Sequence, residues 1–184
     1  MLEPIETLKH EHRVIERVLR ALDGVCQRLE SGGTVSPETL LSFPDFMRAF
    51  ADRCHHGKEE VHLFPTLEQH GVPGEGGPID VMLYEHEVGR GLVAELDRSA
   101  QACKDAAPEA SQRFVDTARR YIDLLTQHIQ KEDHVLFRIA EEVLNEDALA
   151  SLGQKFEQAE VELGAGIHEQ YERIAAELEI VWAP

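Results

Sequence analysis

The stretch His55-His56-Gly57-Lys58-Glu59-Glu60-Val61-His62-Leu63-Phe64 recurs 73 positions later as His128-Ile129-Gln130-Lys131-Glu132-Asp133-His134-Val135-Leu136-Phe137. Aligned without gaps, the two share His, Lys, Glu, Leu and Phe, and an acid comes after each Glu. A weaker match joins Glu11-His12-Arg13-Val14 to Glu85-His86-Glu87-Val88, 74 positions apart. His12 precedes His55 by 43 residues, and His86 precedes His128 by 42. The chain therefore reads as one two-helix unit used twice, closing into a four-helix bundle with approximate two-fold symmetry.

Helical periodicity supports that reading along the whole chain. The first helix, about residues 4–30, has the seam Ile5, Leu8, His12, Ile15, Leu19, Leu22, Cys26, Leu29, in steps of three and four. Ser31-Gly32-Gly33 ends it. Ser36-Pro37-Glu38 opens the second as N-cap and first turn, and the helix is expected to run to about Gln69, kinked or restarted at Pro44. Its stripe holds Leu40, Phe43, Met47, Phe50, Ala51 and Leu63. Gly71–Pro78 is glycine- and proline-rich and reads as a loop. The third seam is Ile79, Met82, His86, Gly89, Val93, Leu96, Ala100, Cys103. The fourth helix is expected from near Pro108, with the seam Phe114, Ala118, Tyr121, Leu125, His128, Glu132, Val135, Ile139. A fifth helical stretch, about 146–180, carries Leu149, Leu152, Phe156, Leu163, Ile174 and Leu178 without a polar member in its stripe. The expected fold is all-α: an antiparallel four-helix bundle over residues 1–145, with an additional C-terminal helical extension over 146–184.

Composition narrows the function. The 184 residues carry 35 Asp and Glu, 18 Lys and Arg, 10 His and a formal charge of −17. Phosphate contacts need a basic face, so nucleic acid is excluded as a partner, and an anionic membrane surface is disfavoured. Metal cations fit such a surplus of carboxylates and imidazoles. Cys26, Cys54 and Cys103 are odd in number and widely spaced, so neither a disulfide framework nor a zinc ribbon is expected. A reducing cytoplasm is the simplest compartment. Met1-Leu2-Glu3-Pro4 shows no basic n-region, and no apolar run reaches the ~20 residues of a membrane span.

The polar members of the seams carry the chemistry. Residues four apart on a helix share a face, so His55 with Glu59, and His128 with Glu132, each send a nitrogen and a carboxylate inward. His12 and His86 add one nitrogen each from the other two helices. A lone His on an apolar seam is more often a satisfied core side chain than a ligand. Four His and two Glu converging in one core are different, because without a metal their charges and donors need partners elsewhere. Imidazole with carboxylate favours iron or manganese over thiolate-seeking metals, and a pair of carboxylates from symmetric helices suits two cations.

At these residues the sequence resembles the hemerythrin-like (HHE cation-binding) family of di-iron four-helix bundles. The resemblance spans about residues 5–140 and rests on the Glu-His of the first and third helices and the two His-x-x-x-Glu segments ending in Leu-Phe. It implies two non-haem iron ions, with manganese or zinc as alternatives, bound by His12, His55, Glu59, His86, His128 and Glu132, the glutamates bridging. The oxygen-carrying members have a second His one turn after the third-helix His, where this chain has Arg90. They also have an Asp five residues after the fourth-helix His. Asp133 occupies that spacing, but the repeat favours Glu132. The set is closer to the bacterial iron–sulfur-repair di-iron proteins and the eukaryotic hemerythrin-type iron sensors. The repair proteins carry an N-terminal cysteine-bearing domain that this sequence does not show. The resemblance thus implies a small oxidant or gas as ligand (dioxygen, peroxide or nitric oxide) in oxidative or nitrosative stress or iron handling. An iron or oxygen sensor and a purely structural metal-binding bundle are the alternatives. A homo-oligomer is compatible with all three.

Several residues keep open assignments. His56 and Glu60 form a competing i,i+4 pair one residue out of register, disfavoured because His56 aligns with Ile129. Glu60, Asp133, Glu11 and Glu85 are read as outer or surface groups, available to accept the second ring N–H of a ligating imidazole. Tyr121, seven residues before His128, is a core aromatic or a hydrogen-bonding neighbour of the metals. Gly89 either leaves room for a small ligand or permits close helix packing. Cys54 reads as a small buried hydrophobe. His10, His62 and His134 are placed at the surface, the last two near an entrance, and His70 and His168 are set aside.

Overall fold

The computed structural model describes residues 3–107, 109–164 and 166–184. Among the described residues, six helical arms make up the fold. Helix α1 is Pro4–Glu30 and α3 is Pro78–Lys104. Arm α2 covers 37–69: α-helical over Pro37–Phe46, wide π-helical turns over Met47–His56 and Glu59–Leu63, and α-helical again over Phe64–Gln69. Arm α4 covers 110–143: Ala110–Lys131, a π-helical segment Glu132–Leu136, then Phe137–Val143. Helices α5 (Glu146–Leu163) and α6 (Ile167–Trp182) complete the chain.

The local signals act where expected. Ser36 caps α2 by accepting a hydrogen bond from the Thr39 amide at 3.2 Å, and Pro37 takes the first helical position. Pro44 does not end the arm, which passes from α to π turns at Met47. The expected fourth-helix start at Pro108 lies outside the described residues, and the helix is seen from Ala110. The expected fifth helix is two. Gly164 and Gly166 sit at φ +118° and +80°, a region glycine enters without strain, and the stretch divides there into two helices that follow α1 one after the other: Gly153 lies against Pro4, Glu179 against Arg17 and Trp182 against Gly24.

The side chains sort into two apolar cores. One gathers Ile5 and Leu8 of α1, Leu63, Phe64 and Leu67 of α2, Ile79 and Met82 of α3, and Leu136, Phe137 and Ala140 of α4. The other gathers the distal parts of the same arms, including Val18, Phe43, Phe50, Leu96 and Phe114. Arms α1 and α3 run from the first core to the second, and α2 and α4 run back, so the bundle is antiparallel, up-down-up-down. Leu152 and Phe156 of α5 join the first core, and Ala175, Ile174 and Leu178 of α6 join the second beside α1. Between the two cores lies one layer of buried polar side chains.

The wide turns correct part of the expected seam. A π turn holds an extra residue, which rotates the next turns about the helix axis. In α4 the inward residues after Glu132 are therefore Leu136, Phe137 and Ala140, whereas Val135 is 49% exposed and Ile139 only partly buried. The segments Glu59–Leu63 and Glu132–Leu136 widen at positions that the repeat aligns. No helix among the described residues is long and apolar enough to cross a membrane.

Candidate metal centre

The polar layer brings His12, His55, Glu59, His86, His128 and Glu132 together, all at most 1% exposed. It also includes His56, at 5%. Two overlapping tetrads form. His12, His55, Glu59 and Glu132 each offer one donor atom within 4.8 Å of the others, and so do His56, Glu59, His86 and His128. Glu59 belongs to both.

The spacing suits cations. Two donors about 2.1 Å from a shared ion, at angles from right to tetrahedral, stand roughly 3.0–3.4 Å apart. His12 Nε2 and His128 Nε2 lie 3.1 and 3.3 Å from the same Glu132 oxygen. His55 Nε2 and His86 Nε2 each lie 3.5 Å from an oxygen of Glu59, and the Nε2 atoms of His86 and His128 are 3.2 Å apart. Six buried polar atoms find no protein partner: His55 Nε2, both ring nitrogens of His56, both Glu59 oxygens and Glu132 Oε1. An unpaired buried carboxylate costs several kcal/mol. Orphans from residues that converge on one spot are the signature of a group the protein is built to hold, and the donor set, imidazole with carboxylate, fits iron.

Behind the layer, four of the imidazoles are oriented in the same way. His12 donates from Nδ1 to Asp133 at 2.7 Å, His55 to Glu11 at 2.9 Å, His86 to Glu60 at 2.6 Å and His128 to Glu85 at 3.0 Å. Each carboxylate is backed by a cation: Asp133 by Arg13, Glu11 by Lys58, Glu60 by Arg90 and Glu85 by Lys131. This arrangement fixes the tautomer, leaves each Nε2 facing inward, and makes it a better donor to a metal. The repeat explains its symmetry, since Glu11, His55 and Lys58 correspond to Glu85, His128 and Lys131.

Electrostatics within the layer are strained without a cation. Burial, then the charge of Glu132, pushes the Glu59 carboxyl well above its ordinary value. Burial works to raise Glu132 too, but His128 and His12 hold it well below. His128 is held up at about 9, against its burial, by Glu132 and Glu85. Burial, then neighbouring His12, pushes His55 down to about 4, and burial with His86 pushes His56 well below its usual value. Neutral imidazoles with a free ring nitrogen are in the ligating form.

The remaining candidates lie outside this layer. Tyr121 and Gly89 line a cavity of about 280 Å³, together with Met47, Asp52, Arg90 and His56. A Cβ on Gly89 would meet only Leu124 and Leu125 at 3.9 Å, so its backbone is not pinned by close packing. His62 and His134 do not line that cavity. His10 is exposed beside Glu172, and His70 hydrogen-bonds the Thr66 carbonyl at the end of α2. Cys54 is buried, its thiol pushed up to about 12 by burial. His168, set aside on sequence, stands 3.7 Å from Glu11 and 3.6 Å from Glu160, and Glu160 reaches Lys58 at 2.8 Å. Both come from the C-terminal helices α5 and α6, whose stripe shows no polar member in the sequence. The outer cations were not foreseen either. The Lys shared by the two repeated segments was their one visible trace.

Comparison with known proteins agrees with this geometry. The hemerythrin HHE cation-binding domain matches residues 3–140. The chain belongs to that family. Uncharacterized proteins of Mycobacterium tuberculosis and Mycobacterium bovis are each 25% identical over 155 residues, 84% of this chain and 60% of theirs. The iron-sulfur cluster repair protein DnrN of Neisseria gonorrhoeae is 35% identical over 92 residues, 45% of this chain and 54% of that protein. The chain thus spans between half and two thirds of these relatives. No solved structure gives a significant match. A metal-binding, hemerythrin-like helical bundle is the plain description of this protein.

Proposed function

We propose that the centre holds two non-haem iron ions and reacts with a small oxidant: dioxygen, peroxide or nitric oxide. His12, His55, Glu59, His86, His128 and Glu132 are the proposed ligands, and of the two glutamates expected to bridge, Glu59, the member of both tetrads, is the one we propose the two positions share. The observation that carries this reading is the set of orphaned, converging donor atoms between two apolar cores. Two iron ions supply Lewis-acid and electron-transfer chemistry when bound. The chain's own part is to hold the ligands rigidly, exclude bulk water and admit something small. The cavity at Tyr121 and Gly89 supports the last point, since it opens on His56. Burial pushes the Tyr121 hydroxyl up, so it stays protonated and able to donate a hydrogen bond into that space. The name of the neisserial relative, an iron–sulfur cluster repair protein, favours oxidative or nitrosative damage as the setting. Three free cysteines favour a reducing, cytoplasmic one.

The test is anaerobic loading of the purified protein with ferrous iron. Two iron ions per chain and near-ultraviolet bands that change on adding peroxide are expected. A colourless protein that takes up no iron overturns the reading.

A second reading, a metal sensor, has its own support. Glu160 and His168 tie the two C-terminal helices to the Glu11–Lys58 pair behind His55. Loss of metal from His55 would then be felt in α5 and α6. Protease sensitivity of residues 146–184 that is equal with and without iron would remove it.

A further inference from the structure

We infer that His56 is a seventh ligand, and that it makes the two metal positions chemically unequal. The inference rests on the two-metal reading above and adds to it a residue that the two copies of the repeat do not share.

Four observations converge on His56. It is 5% exposed, and neither ring nitrogen has a hydrogen-bond partner. Orphaned atoms of this kind belong otherwise to His55, Glu59 and Glu132 among the described residues, which are all ligand candidates. It completes the tetrad with Glu59, His86 and His128. Its Nδ1 faces Asp52 at 3.6 Å, and Asp52 accepts a hydrogen bond from Arg90 at 2.9 Å. That is a fifth copy of the imidazole, carboxylate and cation series found behind His12, His55, His86 and His128. A movement of a few tenths of an ångström turns the Asp52 contact into a hydrogen bond, which fixes the proton on Nδ1 and leaves Nε2 for a metal. Its ring also lies nearly parallel to that of His86, with centroids 3.8 Å apart. This contact holds the imidazole where it is.

The repeat hides this role. The aligned residue, Ile129, is buried among apolar side chains of the distal core. The position that carries an extra His in the oxygen carriers is Arg90 here, and Arg90 backs both Asp52 and Glu60. The nitrogen missing from α3 is therefore supplied by α2. One metal is then held by His56, His86, His128 and Glu59, and the other by His12, His55, Glu59 and Glu132. Three neutral nitrogens with one carboxylate favour the divalent state. Two carboxylates, harder and negatively charged, favour the trivalent state more strongly. The cavity opens on the nitrogen-rich end.

The experiment is anaerobic ferrous titration of the metal-free full chain, read by calorimetry and metal analysis, with Mössbauer spectra of the loaded protein. Wild type is expected to take two ions in two distinct environments. His56→Leu, which keeps the packing against His86, is expected to bind one ion as before and the other at least ~10-fold more weakly. His56→Ala leaves space beside the cavity, and millimolar free imidazole is expected to restore the second ion and its spectrum. Packing alone predicts no such rescue. If wild type binds no iron, the two-metal reading fails and takes this one with it. If wild type and His56→Leu both bind two ions with equal affinity and identical spectra, the role of His56 alone is overturned.

Discussion

The α1–α2 pair and the α3–α4 pair start from related sequences and end in different surroundings. Each contributes a His from its first helix, a His and a Glu from its second, the Glu opening a widened turn, and a lysine behind a Glu–His contact. In the first pair that lysine, Lys58, is fully buried under Glu160 of α5. In the second, Lys131 is 39% exposed. The first pair also has His56 where the second has Ile129. The difference teaches that repetition supplies the chemistry of the centre. Its asymmetry comes from the position where His56 stands against Ile129 and from two C-terminal helices that pack on the first pair.

The largest break in the comparison comes from exchanging the two glutamates for glutamine. Glu59 belongs to both tetrads and Glu132 to one. Glu59→Gln is expected to lose both ions, a drop of ~100-fold or more in affinity, whereas Glu132→Gln weakens one ion first. Metal analysis after dialysis against a graded chelator reads this out.

The two lysines come next. Lys58→Met strands Glu11, a buried carboxylate held charged at about 2 by His55 and Lys58 against its burial. The expected loss is ~3–5 kcal/mol in urea unfolding of the metal-free protein. Lys131→Met, at a half-exposed site, is expected to cost under about 1 kcal/mol. Equal losses would mean that α5 does not seal the first half.

A finer probe fills the cavity. Gly89→Leu adds a side chain toward Leu124 and Leu125 and is expected to leave both ions bound while slowing the peroxide response about ten-fold. The smallest effect concerns thiols. Cys26 and Cys54 are buried, with thiols pushed up to about 12, whereas Cys103 is only half-buried. Mass spectrometry after brief alkylation at neutral pH is expected to show a single label, on Cys103.

Much of this was readable from spacing alone. The first and third seams lie buried almost residue for residue, because an unbroken α-helix keeps a period that sequence displays directly. The fourth seam departs after Glu132, since a π turn changes the period and no residue type announces it. The fifth helix divides at Gly164, where the sequence showed glycines but not the break in the helix that they permit.

The sequence by itself determined the all-α class, the doubled unit, the family and the six repeated His and Glu side chains of the buried layer, because periodicity and i,i+4 spacing are properties of a single helix. Only the tertiary structure decided the rest. His56 faces the centre because α2 is wound wide and packs against α3. Arg90 serves Asp52 and Glu60 from another helix, and His168 reaches Glu11 across more than 150 residues of chain. Such contacts depend on how helices are rotated against one another, which packing sets and local sequence does not record.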